Sequence, residues 1–235
     1  MRLASSILLA LTSCASGWTR ISEDAPTVVA GLRDLPVASS GAAGPIYLDG
    51  TAWTVSTEPP PGHAAAPDSV NQIGSEAFAG SSPAGGAVRI PDSGANITVA
   101  ATVPGDLITD LARAGVIPDP WLDTTWIRNS SLWSGRPWYY RRTFTIDGVA
   151  GVLSGASSLL LVFDGVKMGA TIRVNGVTVG VVRDQFLRYI FVLDAVGTRL
   201  AAGAGANRLD VVFGVGDVAE DGRFMACSGG WDWAP

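Results

Sequence analysis

The chain is poor in the residues that build metal sites and nucleic-acid surfaces. It has one histidine, His63, and two cysteines, Cys14 and Cys227, which argues against a structural zinc site of clustered cysteine and histidine ligands. Charged residues make up only 16% of the chain and the formal net charge is −5, which leaves no basic surface for DNA or RNA. We therefore expect no metal, no cofactor and no nucleic-acid partner.

Hydrophobic runs long enough to cross a membrane are also missing. The apolar stretch at the N-terminus, residues 3–11, is too short to span a bilayer as a helix. Arg2 precedes it and small residues follow it, which is the layout of an export signal over residues 1–17. Cleavage near Ala15 would give a protein of the secretory pathway, either extracellular or in a lysosome- or vacuole-like compartment. The alternative is a bacterial lipoprotein lipidated at Cys14, and we favour secretion without lipidation.

Glycine and proline are abundant, at 29 and 14 residues, which favours short strands joined by many turns. Residues 18–45 show no sustained periodicity and are interpreted as a leader of uncertain order. The domain is assigned to residues 46–215, and residues 57–95 are predicted to be a surface insertion because they are dense in Pro, Gly, Ala and Ser. His63 lies in this insertion without neighbours that could tune it, so we predict no catalytic or metal role for it.

Alternating apolar residues predict a set of antiparallel strands, and Asn175-Gly176 predicts a hairpin turn between two of them. One short helix is predicted over residues 106–115, with Asp106 as its N-cap and Gly115 at its end. Trp126 and Trp138 are expected to pack in the core. The pattern indicates an all-β sandwich of two sheets, of jelly-roll type, with a Gly/Ala-rich loop over residues 197–206. The predicted strands are 97–103, 138–146, 159–163, 170–174, 177–180, 189–193 and 207–213.

The C-terminal stretch carries the strongest candidate for a binding site, Trp231-Asp232-Trp233, which follows two glycines. Indole rings offer flat apolar faces that can lie against the C–H face of a pyranose. A carboxylate between them can accept hydrogen bonds from neighbouring sugar hydroxyls. A buried aromatic pair with a capping Asp is the structural alternative. We favour sugar binding by Trp231, Asp232 and Trp233.

Six short motifs occur in an order that resembles the β-mannosidases of glycoside hydrolase family 2. The segment from 46 to 235 is similar to their N-terminal sugar-binding domain, which implies a galactose-binding-like jelly roll. Gly229 and Ala234 depart from the pattern of many relatives, so exo-β-mannosidase, endo-β-mannosidase and exo-glucosaminidase specificities stay open. The motifs are Val103-Pro104-Gly105-Asp106-Leu107, Gly115-Val116-Ile117-Pro118-Asp119-Pro120, Trp138-Tyr139-Tyr140-Arg141-Arg142-Thr143-Phe144, Phe163-Asp164-Gly165-Val166, Val174-Asn175-Gly176 and Gly230-Trp231-Asp232-Trp233-Ala234-Pro235.

The resemblance implies a parent enzyme that removes β-linked mannose from the non-reducing ends of oligosaccharides or glycans. Its retaining mechanism needs two closely spaced carboxyl groups, which in the family are glutamates on a following (β/α)₈ barrel. The four glutamates here, Glu23, Glu58, Glu76 and Glu220, are scattered along the chain. We therefore expect no catalytic residue in this chain, which alone should be inactive.

By the same resemblance, Trp231, Asp232 and Trp233 would bind substrate. Residues 216–235 would lead towards a C-terminal barrel, which is absent from the chain and would be its structural partner. The alternative is a secreted, non-catalytic carbohydrate-binding module. The coding sequence beyond Pro235 distinguishes the two hypotheses.

Overall fold

The computed structural model describes residues 2–3, 7–13, 46–59, 95–120, 132, 136–146, 157–167, 169–193, 197–201 and 203–214. This part of the chain holds twelve strands and one helix. In chain order they are β1 (Arg2–Leu3), β2 (Ile7–Ser13), β3 (Ile46–Tyr47), β4 (Gly50–Ser56), β5 (Thr98–Val103), β6 (Gly105–Asp106), α1 (Leu107–Arg113), β7 (Trp138–Ile146), β8 (Ser157–Phe163), β9 (Ala170–Val174), β10 (Val177–Val182), β11 (Tyr189–Leu193) and β12 (Gly203–Phe213).

The larger sheet has six strands in the order β10-β9-β12-β7-β4-β5, and every pairing in it is antiparallel. β7 and β12 run side by side from Phe213 opposite Trp138 to Asn207 opposite Phe144. Apolar residues alternate along β7, where Trp138, Tyr140, Phe144 and Ile146 are buried. These side chains direct one face of the sheet to the core, while the other face of β7 carries Arg141, Thr143 and Thr145 together with the buried Tyr139.

The smaller sheet has four strands in the order β11-β8-β2-β3. β2 lies between β8 and β3, and its pairing with β8 is continuous from Ile7 opposite Phe163 to Ser13 opposite Ser157. β8 and β11 read as nearly uninterrupted apolar runs, which is typical of strands covered on both faces. The predicted export signal stays a prediction, and its residues Ile7–Ser13 form this strand.

The hydrophobic core lies between the two sheets and draws on both. Trp53, Trp138 and Tyr140 from the larger sheet and Leu161 and Phe163 from the smaller one belong to a single buried cluster. Burying side chains of this size contributes about 1.5–3 kcal/mol each. The predicted all-β sandwich with one short helix is confirmed.

The helix α1 closes one end of the core. Leu107 and Leu111 are buried on its inner face, and Asp106 caps its N-terminus by accepting a hydrogen bond from the Thr109 backbone N–H at 2.9 Å. The predicted helix and its cap are therefore confirmed, and Gly115 follows the helix with a φ of +70°.

Most predicted strands recur in the structure, with one correction. The region 197–206 was expected to be a loop because of its Gly and Ala content, but β12 begins at Gly203. A register shift between Gly203 and Asn207 accommodates these small residues in the ladder with β7. The proposed leader, residues 18–45, and residues 60–94 of the proposed insertion lie outside the described residues.

Candidate functional site

Five of the six motifs lie in the described part of the chain, and contacts within it show what four of them do. The motif 103–107 makes the corner between β5 and α1. A Cβ added at Gly105 would lie 2.2 Å from the Thr102 carbonyl oxygen, so the close backbone approach requires glycine. Because Asp106 caps the helix that follows, this motif builds the fold.

Asp110 is the buried carboxylate of this corner, with 1% of its side chain exposed. Arg113 Nη1 donates to Asp110 Oδ1 at 2.8 Å, and the Thr102 backbone N–H donates to the same carboxylate. Burial raises the pKa of Asp110, while the Thr102 hydrogen bond and the Arg113 charge oppose that rise. The corner therefore holds a carboxyl group whose ionisation is opposed by burial.

The motif 138–144 forms most of β7 and ties it to the start of β4. Arg142 Nη1 donates to the carbonyl oxygens of Leu48 and Asp49, the latter at 2.8 Å. Trp53 Nε1 donates to the same Leu48 oxygen at 2.6 Å. Burial lowers the pKa of Arg142, opposed by the nearby Asp49 carboxylate. The structure confirms that Trp138 packs in the core, with 1% of it exposed; Trp126 lies outside the described residues.

The motif 174–176 is a tight hairpin turn whose asparagine is a structural anchor. Asn175 and Gly176 have φ of +51° and +84°, as a primed two-residue turn requires. Asn175 Oδ1 accepts from the Arg208 backbone N–H at 2.8 Å, and its Nδ2 donates to Asn207 Oδ1 at 3.0 Å. In the motif 163–166, Asp164 follows β8 and accepts from Nε of Arg188, which precedes β11. These two motifs therefore hold connections between strands.

A charged cluster on the outward face of the larger sheet was missed by the sequence reasoning. Asp210 is fully buried, and its two carboxylate oxygens accept from Arg141 Nε at 2.9 Å and from Arg208 Nε at 2.8 Å. Arg141 and Asp210 are 69 residues apart in sequence, so only the register of β7 and β12 joins them. The one signal in the sequence is the spacing of Arg208 and Asp210, which puts both on one face of a strand.

The predicted substrate-binding residues Trp231, Asp232 and Trp233 lie outside the described residues, as do His63 and both cysteines. Their role stays a prediction. The described chain ends just after β12, where Phe213 is opposite both Trp138 and Ala170. Of the four glutamates, the structure describes Glu58 alone, and it is exposed.

The described ranges lack two further features. No group of three or more His, Cys, Asp or Glu side chains there could hold a metal ion. Within the same ranges, no helix has the length and apolar character to span a membrane.

Comparisons with known proteins agree with the resemblance to glycoside hydrolase family 2. The chain is similar to beta-mannosidase A of Emericella nidulans, with 32% identity over 107 residues, which is 43% of this chain and 10% of the relative. It is also similar to beta-mannosidase A of Aspergillus terreus, with 33% identity over 101 residues, or 41% of this chain and 10% of the relative. The matched segment thus spans about a tenth of these relatives.

Among solved structures, the beta-D-mannosidase from Dictyoglomus thermophilum matches with a TM-score of 0.48 and 26% identity, over 58% of this chain and 18% of the other. A family profile described as glycosyl hydrolase 2 galactose-binding domain-like matches residues 88–221, more than half of the chain. These residues include β5 to β12 and the described motifs. The chain therefore belongs to the glycosyl hydrolase 2 galactose-binding domain-like family.

Proposed function

We propose that the chain is the N-terminal portion of a β-mannosidase-like retaining glycoside hydrolase. The parent enzyme would remove β-linked mannose from the non-reducing ends of oligosaccharides or glycans. The observation that carries this proposal is the similarity to two proteins named beta-mannosidase A, together with the match of residues 88–221 to the glycosyl hydrolase 2 galactose-binding domain-like family.

In this proposal Trp231, Asp232 and Trp233 supply part of the sugar subsite. The indoles would pack on the C–H faces of the terminal mannose, and the Asp232 carboxylate would accept hydrogen bonds from its hydroxyls. Such a bond to a charged acceptor contributes about 1.5–3 kcal/mol. The described motifs build the sandwich whose last strand, β12, precedes these residues in the sequence.

The chemistry itself would come from a following barrel domain. A retaining glycosidase needs an acid/base and a nucleophile with carboxyl groups about 5–5.5 Å apart. Glu58 is exposed after β4, and within the described part of the chain no group donates a hydrogen bond to its carboxylate. We therefore assign Asp232 a role in affinity and sugar identity and assign proton transfer to residues beyond this chain.

Two measurements test the proposal. The coding sequence downstream of Pro235 should continue in frame into a barrel with two glutamates at strand ends. The isolated chain should leave 4-nitrophenyl β-mannoside unhydrolysed, whereas the longer protein should hydrolyse it. A stop codon after Pro235, or turnover by the isolated chain that is abolished by replacing one of its four glutamates, would contradict the proposal.

The second candidate function is a secreted, non-catalytic carbohydrate-binding module. The description of the matching family as galactose-binding domain-like favours it. It requires a natural stop codon after Pro235 together with saturable binding of a mannoside by the isolated chain. The first candidate is contradicted by such a stop codon, and it does not need the isolated chain to bind a mannoside.

We also propose that the protein enters the secretory pathway, with lipidation at Cys14 as the alternative. Cleavage near Ala15 would remove β2 and leave the edge of β8 without its partner. The intact mass of the mature protein distinguishes secretion with cleavage from lipidation at Cys14. A mass lacking residues 1–15 or so supports secretion with cleavage, a diacylglycerol adduct on Cys14 supports lipidation, and a mass that retains Ile7–Ser13 contradicts both.

A further inference from the structure

The side-chain amide of Asn175 ties the turn between β9 and β10 to the connection between β11 and β12. Its Nδ2 donates to the carbonyl oxygens of Thr198 and Arg199 and to Asn207 Oδ1, each at 3.0 Å. Its Oδ1 accepts from the Arg208 backbone N–H at 2.8 Å. The amide is therefore held at both its nitrogen and its oxygen. We call Asn175, Thr198, Arg199 and Asn207 the asparagine latch.

Asn207 fixes the other side of the latch. It is fully buried, and its Oδ1 also accepts from the Ala201 backbone N–H at 2.8 Å, while its Nδ2 donates to the Ala201 carbonyl oxygen at 2.9 Å. These bonds hold residues 197–201 close to the start of the β12–β9 pairing. The acceptors that face Asn175 are thus kept in place by a second asparagine.

The residue after Asn175 gives this asparagine a reaction of its own. Asn175 is the one asparagine of five in the chain that precedes a glycine, and Gly176 has no side chain to shield its backbone nitrogen. That nitrogen can attack Asn175 Cγ: a C–N bond forms, the Cγ–Nδ2 bond breaks, and ammonia leaves with the amide proton of Gly176. Water then opens the succinimide ring and leaves aspartate or isoaspartate at position 175.

The folded turn opposes the first step. Ring closure brings Asn175 Cγ onto the Gly176 nitrogen, so the amide has to turn away from its three acceptors and from the Arg208 N–H. Asn175 is also half-buried, which limits access of water. The reaction therefore depends on the small population of molecules in which the hairpin of β9 and β10 is open.

The product cannot make the same contacts. An aspartate has an ordinary pKa of about 3.9, so it is ionised at neutral pH and has no proton to donate. Its carboxylate would face the oxygens of Thr198, Arg199 and Asn207, which are all acceptors. An acceptor placed against acceptors loses the hydrogen bonds and adds repulsion. Deamidation would thus prevent the latch from closing again.

We propose that Asn175 is a latent modification site, at which water deamidates the side chain through the open hairpin and the resulting carboxylate keeps the asparagine latch open. The ligand of the site is water alone, and the products are ammonia and a carboxylate. The site stands independently of the proposed glycosidase function.

The first test compares deamidation rates in the folded and the denatured 235-residue chain at mildly alkaline pH, with guanidinium chloride as the denaturant. Trypsin cleaves after Arg173 and Arg183, and the mass of fragment 174–183 then reports the replacement of NH₂ by OH at Asn175. The folded chain should deamidate more slowly by about tenfold or more, because only its open population reacts. Equal rates would overturn the proposal.

A variant shows whether the latch provides this protection. Asn207→Ala removes one acceptor of Asn175 and both bonds to Ala201, so it should speed deamidation in the folded chain by about fivefold or more and leave the rate in denaturant unchanged. Asn96→Ala, the same change at an exposed asparagine outside the latch, should alter neither rate. Equal rates in the two folded variants would overturn the proposal. The comparison with denatured chain needs no variant and carries the test if Asn207→Ala does not fold.

A second variant tests the consequence of deamidation. Asn175→Asp carries the carboxylate of the product and should lower the melting temperature by about 3 °C or more, because the latch cannot close. Asn96→Asp makes the same chemical change at the exposed position and should leave the melting temperature unchanged. Equal melting temperatures of the two variants would contradict the claim that a carboxylate at position 175 opens the latch.

Discussion

Gly180 on β10 lies directly under the aromatic ring of Phe191 on β11, and a Cβ at position 180 would lie 2.1 Å from Phe191 Cε1. The contact joins the two sheets, since β10 belongs to the larger sheet and β11 to the smaller one. Phe191 is fixed on its other sides, in a stacked pair with Tyr189 and an edge contact with Phe163. The ring therefore has little room to give way.

Gly180→Ala should lower the free energy of unfolding by about 1–3 kcal/mol, because the added methyl overpacks the space between the sheets. Urea denaturation followed by fluorescence measures this. In the background Phe191→Leu, which removes the ring, the same substitution should cost less than half as much. Equal costs in the two backgrounds would show that the sheets do not meet at this contact.

Asp210→Ala should lower the free energy of unfolding by about 3–5 kcal/mol, because it leaves two guanidiniums without their buried counter-charge. The matched control is Asp164→Ala, whose carboxylate also binds an arginine but is 30% exposed. The control should cost less than about 1 kcal/mol, as is usual for solvated ion pairs. Similar losses in both variants would contradict the assignment of Asp210 as the buried centre of the cluster.

Asp110 should make the domain less stable as the pH rises through the acid range. Burial raises its pKa in the folded state above the ordinary value of 3.8, so its contribution to stability is complete below that value and is lost as the pH rises through the folded pKa. Asp110→Asn cannot ionise. The free energy of unfolding of Asp110→Asn minus that of the parent chain should therefore increase with pH above 3.8. Urea titrations at several pH values measure the difference, and a difference that stays constant or decreases contradicts the prediction.

Much of the fold could be predicted because its signals are local. Alternation along β9, and the aromatic and β-branched residues of β7 and β11, predicted the strands 170–174, 138–146 and 189–193 with the bounds that the structure has. The N-cap of α1 could also be predicted from local sequence, because the Asp106 carboxylate accepts its hydrogen bond from the backbone N–H only three residues ahead. The start of β12 was missed because small residues weaken the strand pattern, and it is the pairing with β7 that fixes Gly203 there.

The charged cluster could not be predicted because it depends on register. Arg141 and Asp210 lie on two different strands, and a shift of one residue in their pairing would place their side chains on opposite faces. The predicted sugar contacts at Trp231, Asp232 and Trp233 rest on side-chain chemistry and on the resemblance alone. They require a test in solution.

The most direct test of the central claim is to measure the melting temperature and kcat/KM of Asp232→Ala on one preparation of the longer parent enzyme, with a β-mannoside as substrate. Loss of a charged acceptor to the sugar should lower kcat/KM by about 30- to 1,000-fold, equivalent to about 2–4 kcal/mol, while the melting temperature stays unchanged. Part of the loss should appear in kcat if the contact strengthens in the transition state. A variant with a lowered melting temperature and normal specific activity would contradict the claim that Asp232 binds sugar.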